Sequence, residues 1–304
     1  MVYLVKFVEN LNRNLGDTIY DSVRLVAHHL SPQSKIINQK EIRVIGIKRS
    51  GNHAIINWIA KQQTGEVKHL NNLLPGRNPY RFLYKHYPTE YFRQEACGNF
   101  SQKDCLIYSY ENCKLPKVVT RGVEWKHDLY LGKSKERYDV LILRDPFNMI
   151  ASAFHNHAKQ IKKHNKIVHS YFKEKGTMED LDIVELWLSY AREYLGETQY
   201  LNQKKVPVNY NAWVLDANYR KDIAEQLKLE FSDRGLEDVR EQGGGSSFEG
   251  RNLHGQATKM DVLNRWKIVA DDPDYRRLLD NPALFEYSER IFGRIPGTEE
   301  LRIK

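Results

Sequence analysis

Two short stretches of this 304-residue chain gather residue types that bind anions. The first is Lys48-Arg49-Ser50-Gly51-Asn52-His53-Ala54. It stands between an apolar run, Val44 to Ile47, and a segment where Ile55, Ile56, Ile59 and Ala60 recur at helical spacing. A strand, a glycine-containing turn and a helix together make a phosphate cradle. The first backbone N–H groups of the helix point at the anion, and the helix dipole favours negative charge. Gly51 lets the backbone come close, while Lys48 and Arg49 add charge. The Gly-Lys-Ser/Thr ending of a Walker A loop is absent. The second stretch is Arg144-Asp145-Pro146, which follows the apolar run Tyr138 to Leu143. Asp145 is a natural N-cap and Pro146 a natural first helical residue, so a helix should begin there and carry Ser152 in its second turn. Arg144 then falls where a strand meets a helix, the sheet edge at which α/β proteins bind ligands.

The elements that must hold these residues can be read around them. Cys105 to Tyr110 is a strand ending at Glu111-Asn112, and Glu66 to Leu70 a shorter one. Lys205 to Tyr210 reads as an edge strand, because Pro207 cannot donate to a ladder. Helices are expected over residues 146–163, 179–200 and 218–229, with Trp187 in the core. Residues 71–91, rich in Asn, Pro, Arg and Tyr, read as a long loop near the site. Residues 117–126 read as a further extended piece. These alternating elements predict a three-layer α/β fold of the P-loop NTPase type, with a central, mostly parallel sheet flanked by helices. The expected organisation is one domain over 1–304: an N-terminal helical extension (1–40), a core (41–270) and a C-terminal helical segment (271–304).

Both stretches, in this order and each on a strand–helix junction, resemble the sulfotransferase family that uses 3′-phosphoadenosine 5′-phosphosulfate. Its first signature, Lys/Arg-Ser/Thr-Gly before a helix, is matched by Arg49-Ser50-Gly51. Its second, an Arg at a strand end and a Ser eight positions on, is matched by Arg144 and Ser152. The resemblance implies that Arg49, Ser50, Gly51, Asn52, His53 and Ala54 grip the 5′-phosphosulfate, and that Arg144 and Ser152 grip the 3′-phosphate. It runs closely over residues 40–155 and loosely over 205–270. The segment Phe248 to Gly255 resembles the family's third cofactor segment, with Arg251 as the residue carried over. The family's cytosolic members stack a Trp on adenine five positions after the loop Lys, and here that position is Ala54. Lys48 and Arg49 would stabilise the transferring group. The acceptor's proton would go to Glu111, at a strand end, or to His86 in Lys85-His86-Tyr87-Pro88, with Glu111 preferred. The implied ligands are the donor, its bisphosphate product and a small-molecule, lipid or glycan acceptor. No metal is implied.

Composition narrows the other classes. A hydrophobic content of 41% and a charged content of 28% are those of a globular chain, long enough for a sizeable core. The formal charge of +8 suits an anionic ligand or a nucleic acid. Scattered lysines, not gathered with aromatics in one motif, speak against nucleic acid. A P-loop kinase or NTPase shares the strand–loop–helix start, but Asp145 reads as a helix cap and not as a Mg²⁺ ligand. Cys97, Cys105 and Cys113 have no Cys-x-x-Cys spacing and fit free thiols. Neither His28-His29 nor the pair His155 and His157 offers metal-ligand geometry on a helix. No apolar run approaches the roughly 20 residues of a membrane span, and no signal peptide is evident, so the expected location is cytoplasmic. The basic run Lys159, Lys162, Lys163 and Lys166 reads as a solvated face.

Overall fold

Strand β1 (Asn38–Gly46) sets the architecture because both of its faces are apolar. Ile42 and Val44 pack into one core, and Ile45, with Ile47 beyond the strand, into another. The same alternation runs through β3 (Lys103–Glu111) and β4 (Ser134–Leu143), as expected of strands covered on both sides. This computed structural model describes residues 19, 21–22, 35–164, 181–240, 245–246 and 248–302, with 156–164 described by their backbone alone. The sheet order is β2-β3-β1-β4-β5, with β2 Val67–Leu70 and β5 Lys205–Asn209, and every pair is parallel. The helix Asn52–Lys61 covers one face through Ile55, Ile56, Trp58 and Ile59, joined by Tyr210–Leu215 and Ala217–Gln226. The helices Pro146–His164, Ile183–Tyr194 and Pro282–Phe292 cover the other. The outcome is the expected three-layer α/β fold. In register, Gly46 lies opposite both Glu111 and Ile142, and Leu143 opposite Asn209, so the loops leaving all these strands meet at one edge.

Several elements differ from the sequence expectation for local reasons. The first strand begins at Asn38, ahead of the apolar run. Within the expected loop over 71–91, Pro79–His86 is a helix, and Glu90–Ala96 follows. Asn78 caps the first by accepting from the Arg81 N–H with Pro79 in the first turn, and Thr89 caps the second. The segment expected to be extended is two short helices, Leu115–Val118 and Arg121–Trp125, the latter capped by Thr120. The helix expected over 179–200 is Ile183–Tyr194, started by the Asp182 cap and ended before Gly196 in the left-handed region. Most of the N-terminal extension, with His28-His29, lies outside the described residues, as do Lys166 and the side chains of His157, Lys159, Lys162 and Lys163.

Away from the site, a buried charged group braces β1 against β4. Glu41 Oε1 lies 2.6 Å from His127 Nε2, Tyr108 Oη donates to the same carboxylate at 3.0 Å, and Arg137 reaches Asp128. Burial alone would lower the His127 pKa, but the Glu41 carboxylate and Asp128 outweigh it and hold it up to about 9. The folded value lies above the unfolded one, so the stabilisation is complete below about pH 6.5 and is lost as pH rises through 9. Melting temperature should therefore decline over this window, and His127→Gln should flatten the decline. An unchanged slope in His127→Gln would show that the pair does not carry it.

Candidate functional site

The loop after β1 is shaped by backbone conformation first. Arg49 and Gly51 both take left-handed dihedrals, with φ of 73° and 83°. A left-handed non-glycine residue costs roughly 1–2 kcal/mol, and such strain concentrates at ligand sites. Ser50 N–H donates to Ile47 O at 3.1 Å, closing the turn, and Ala54 and Ile55 donate back to Gly51 O. The first N–H groups of the Asn52–Lys61 helix have no acceptor within the helix and face the turn. Lys48 N–H is pinned by Asn112 Oδ1 at 2.9 Å, while the Lys48 side chain is exposed. Ser50 Oγ is fully buried with no hydrogen-bond partner among the described residues. A buried orphan hydroxyl at a helix start is what an anion-binding turn leaves when described without its anion.

Gly51 is fixed by its neighbour as well as by its φ. A Cβ there would fall 2.0 Å from the Tyr210 ring. Gly51→Ala should thus lower the melting temperature by several degrees, since 1 kcal/mol corresponds to about 2–4 °C in a chain of this class. Calorimetry should also show weakened anion binding. Unchanged stability would mean that the loop relaxes freely.

Arg144 lies one strand over, at the end of β4, and is 2% exposed. Its Nη1 donates to Arg49 O at 3.0 Å and Ser152 Oγ at 3.3 Å, and Nη2 donates to Val262 O. Its Nε has no partner, and among the described residues no carboxylate stands within ion-pair distance. Burial pushes its pKa down, a sign that the charge is poorly compensated within the protein. The expected cap is present: Asp145 Oδ1 accepts from Asn148 N–H at 2.8 Å, and Trp187, buried in the core, donates to Arg144 O at 2.9 Å. The Asn148 amide also ties Leu263 O, bringing the segment around 262 against the site.

Glu111 ends β3 opposite Gly46 and is largely buried. Its Oε1 accepts from Asn52 Nδ2 at 2.9 Å, with His53 Nε2 3.8 Å away. Asn52 Nδ2 also donates to Ile47 O, so Asn52 links the loop to the carboxylate. Burial lowers the Arg49 pKa, opposed by the nearby Glu111 charge and reinforced by Arg265. Behind them, burial with His53 and Arg240 nearby holds the His69 pKa down to about 3, so its imidazole is neutral at pH 7.

Many of these groups line one cleft of about 380 Å³, within the usual range of small-molecule sites, whereas Ser50 and His69 lie outside its lining. Lys48, Arg49, Gly51, Asn52, His53, Ala54, Glu111, Arg144 and Ser152 all face it. His86 does not: it ends the Pro79–His86 helix, exposed, with its ring against Phe82. Arg251 is exposed and also outside the cleft lining. Arg265 lines the cleft instead, braced by Ser246 Oγ and Glu249 Oε2, each at 2.8 Å. Sequence reading missed Arg265, and also Tyr210 and Trp213, whose rings stack at 6.0 Å in the cleft wall. Their position just past an edge strand was a usable signal, since that strand's end belongs to the ligand edge. Trp58 is not a substitute for the absent stacking Trp, because it is buried and donates to Asp233.

Fold and cleft together define an α/β protein with two cationic corners at the C-terminal edge of a parallel sheet. No family model matches the chain, and no curated protein matches it. Among solved structures it is similar to mouse sulfotransferase SULT7A1 complexed with PAP, at 12% identity and a TM-score of 0.45, over 93% of this chain and 94% of that one. So distant a likeness transfers no activity, and the functional case rests on the side chains of the cleft. Among the described residues no three His, Cys, Asp or Glu side chains converge on a metal position, and no helix is long and apolar enough to cross a membrane.

Proposed function

We propose that the chain is a sulfotransferase, moving a sulfuryl group from 3′-phosphoadenosine 5′-phosphosulfate to a hydroxyl or amine by in-line displacement. One observation carries the reading: Arg144 is a buried guanidinium without a carboxylate partner among the described residues, hydrogen-bonded to Ser152 and one strand from the Arg49-Ser50-Gly51 turn. Arg144 and Ser152 hold the 3′-phosphate, with Arg265 better situated than Arg251 to assist. Ser50 Oγ and the N–H groups at the start of the Asn52–Lys61 helix hold the 5′-phosphate. Tyr210 and Trp213 supply the aromatic surface for adenine that Ala54 cannot, and Trp213 Nε1, buried without a partner among the described residues, offers a donor to a base nitrogen.

Arg49 and Lys48 stabilise charge on the transferring oxygens. Glu111 takes the proton of the acceptor as its oxygen or nitrogen bonds to sulfur. The bond from sulfur to the 5′-phosphate oxygen breaks, and the bisphosphate leaves with the electron pair. Sulfuryl carries less charge than phosphoryl, so cationic side chains suffice where kinases add Mg²⁺.

Thermal shift tests the reading against its competitors. Adenosine 3′,5′-bisphosphate with EDTA should raise the melting temperature, by the equivalent of about 2.7 kcal/mol at a hundredfold excess over Kd. ATP with Mg²⁺ and a mixed-sequence oligonucleotide should not. Stabilisation by ATP with Mg²⁺ alone would favour a P-loop kinase.

A further inference from the structure

The cleft is divided by the sheet that forms it. The groups assigned to the donor leave β1, β4 and β5, joined by Arg265 from the chain beyond β5, whereas Glu111 leaves β3 and Asn71-Asn72 leaves β2 at the opposite edge. The apolar side chains of the cleft, among them Trp213, Val214, Leu236, Val239, Met260 and Val262, come from segments after β5. Over β2 and β3 the lining is Asn71, Asn72 and Glu111, with Lys48 and His53 beside them, and none is apolar. We infer that this half takes a polyhydroxylated acceptor, a sugar or similar polyol, and not an aryl or sterol alcohol. The inference rests on the sulfotransferase reading and names its acceptor class.

Two polar groups give this half its specificity. Asn71 Oδ1 accepts from Ser109 Oγ at 3.3 Å, which leaves Nδ2 as a donor with no partner among the described residues. Glu111 Oε1 is engaged by Asn52, which leaves Oε2 as an acceptor with none. Asn71 directly follows β2 and meets Ser109, and Glu111 lies two residues beyond Ser109 on β3, so both groups face the same half of the cleft. The frame is fixed: Asn72 N–H donates to Ser109 Oγ at 2.8 Å, Leu73 N–H donates to Ser109 O at 2.7 Å, and Asn72 takes the left-handed turn that Asn tolerates. An aryl alcohol seated here would strip water from an amide and a carboxylate and return one hydrogen bond, from its own hydroxyl to Glu111, leaving Asn71 Nδ2 unanswered. A polyol offers one hydroxyl to accept from Asn71 and another to donate to Glu111, which a ring with a single hydroxyl cannot do.

The test uses the full chain with adenosine 3′,5′-bisphosphate, whose binding is measured first by calorimetry. Saturation-transfer NMR then compares methyl β-D-glucopyranoside, methyl β-D-galactopyranoside and methyl α-D-mannopyranoside with 2-naphthol. At least one hexoside should bind more tightly than 2-naphthol. Asn71→Leu and Asn71→Asp should each weaken it about tenfold or more, with bisphosphate affinity unchanged. Preference for 2-naphthol, no binding of any hexoside, or hexoside binding indifferent to both variants would overturn the acceptor inference while the donor reading stands. Failure of the bisphosphate to bind would instead sink the donor reading, and this inference with it.

Discussion

Arg144→Met is expected to weaken adenosine 3′,5′-bisphosphate binding by about a hundredfold or more. Charge-assisted hydrogen bonds contribute about 1.5–3 kcal/mol each, and the guanidinium can offer the 3′-phosphate its orphan Nε together with a terminal nitrogen. In the free protein the same charge is desolvated and answered by a hydroxyl, two carbonyls and the Tyr210 ring 5.1 Å away, with no carboxylate among the described residues. Methionine keeps much of the side-chain volume, so thermal stability should fall less than affinity does. Ser152→Ala removes a neutral donor and should cost about 1 kcal/mol. Both losses should shrink for adenosine 5′-monophosphate, which lacks the 3′-phosphate. Equal losses for the two nucleotides would mean that Arg144 supports the loop through Arg49 O and does not read the phosphate.

Glu111→Gln is expected to reduce turnover on the order of a hundredfold or more while leaving bisphosphate affinity within error. The substitution preserves shape and can still accept from Asn52 Nδ2, so the loop link survives. What disappears is the capacity to take the acceptor's proton. His86→Ala should be near neutral for turnover, because His86 lies outside the cleft lining. Near-normal turnover in Glu111→Gln together with collapse in His86→Ala would reverse these roles. If Glu111→Gln lost product binding and turnover in equal measure, Glu111 would be a structural partner of Asn52 and not the base.

What could be read beforehand follows physical range. The turn at Arg49-Ser50-Gly51 and the cap at Asp145-Pro146 are local signals, and both stand where periodicity and capping chemistry put them. Burial on both faces made β1, β3 and β4 legible as apolar runs. Short helices at Asn78-Pro79 and Thr120 were hidden by a composition that also suits loops, although each carries its own capping residue. Arg265 had no sequence signal, because it reaches the cleft through contacts with Ser246 and Glu249 that only the folded chain creates. Asn71 and Asn72 looked like loop composition. Their meaning comes from Ser109, a residue on the neighbouring strand.

The most direct measurement is a calorimetric titration of the unmodified chain with adenosine 3′,5′-bisphosphate and adenosine 5′-monophosphate, each with and without EDTA. If Arg144 and Ser152 form the 3′-phosphate corner, the bisphosphate should bind at least about a hundredfold more tightly than the monophosphate, corresponding to about 2.8 kcal/mol, and EDTA should change neither value. Equal affinities for the two nucleotides, or binding that requires Mg²⁺, would contradict the account.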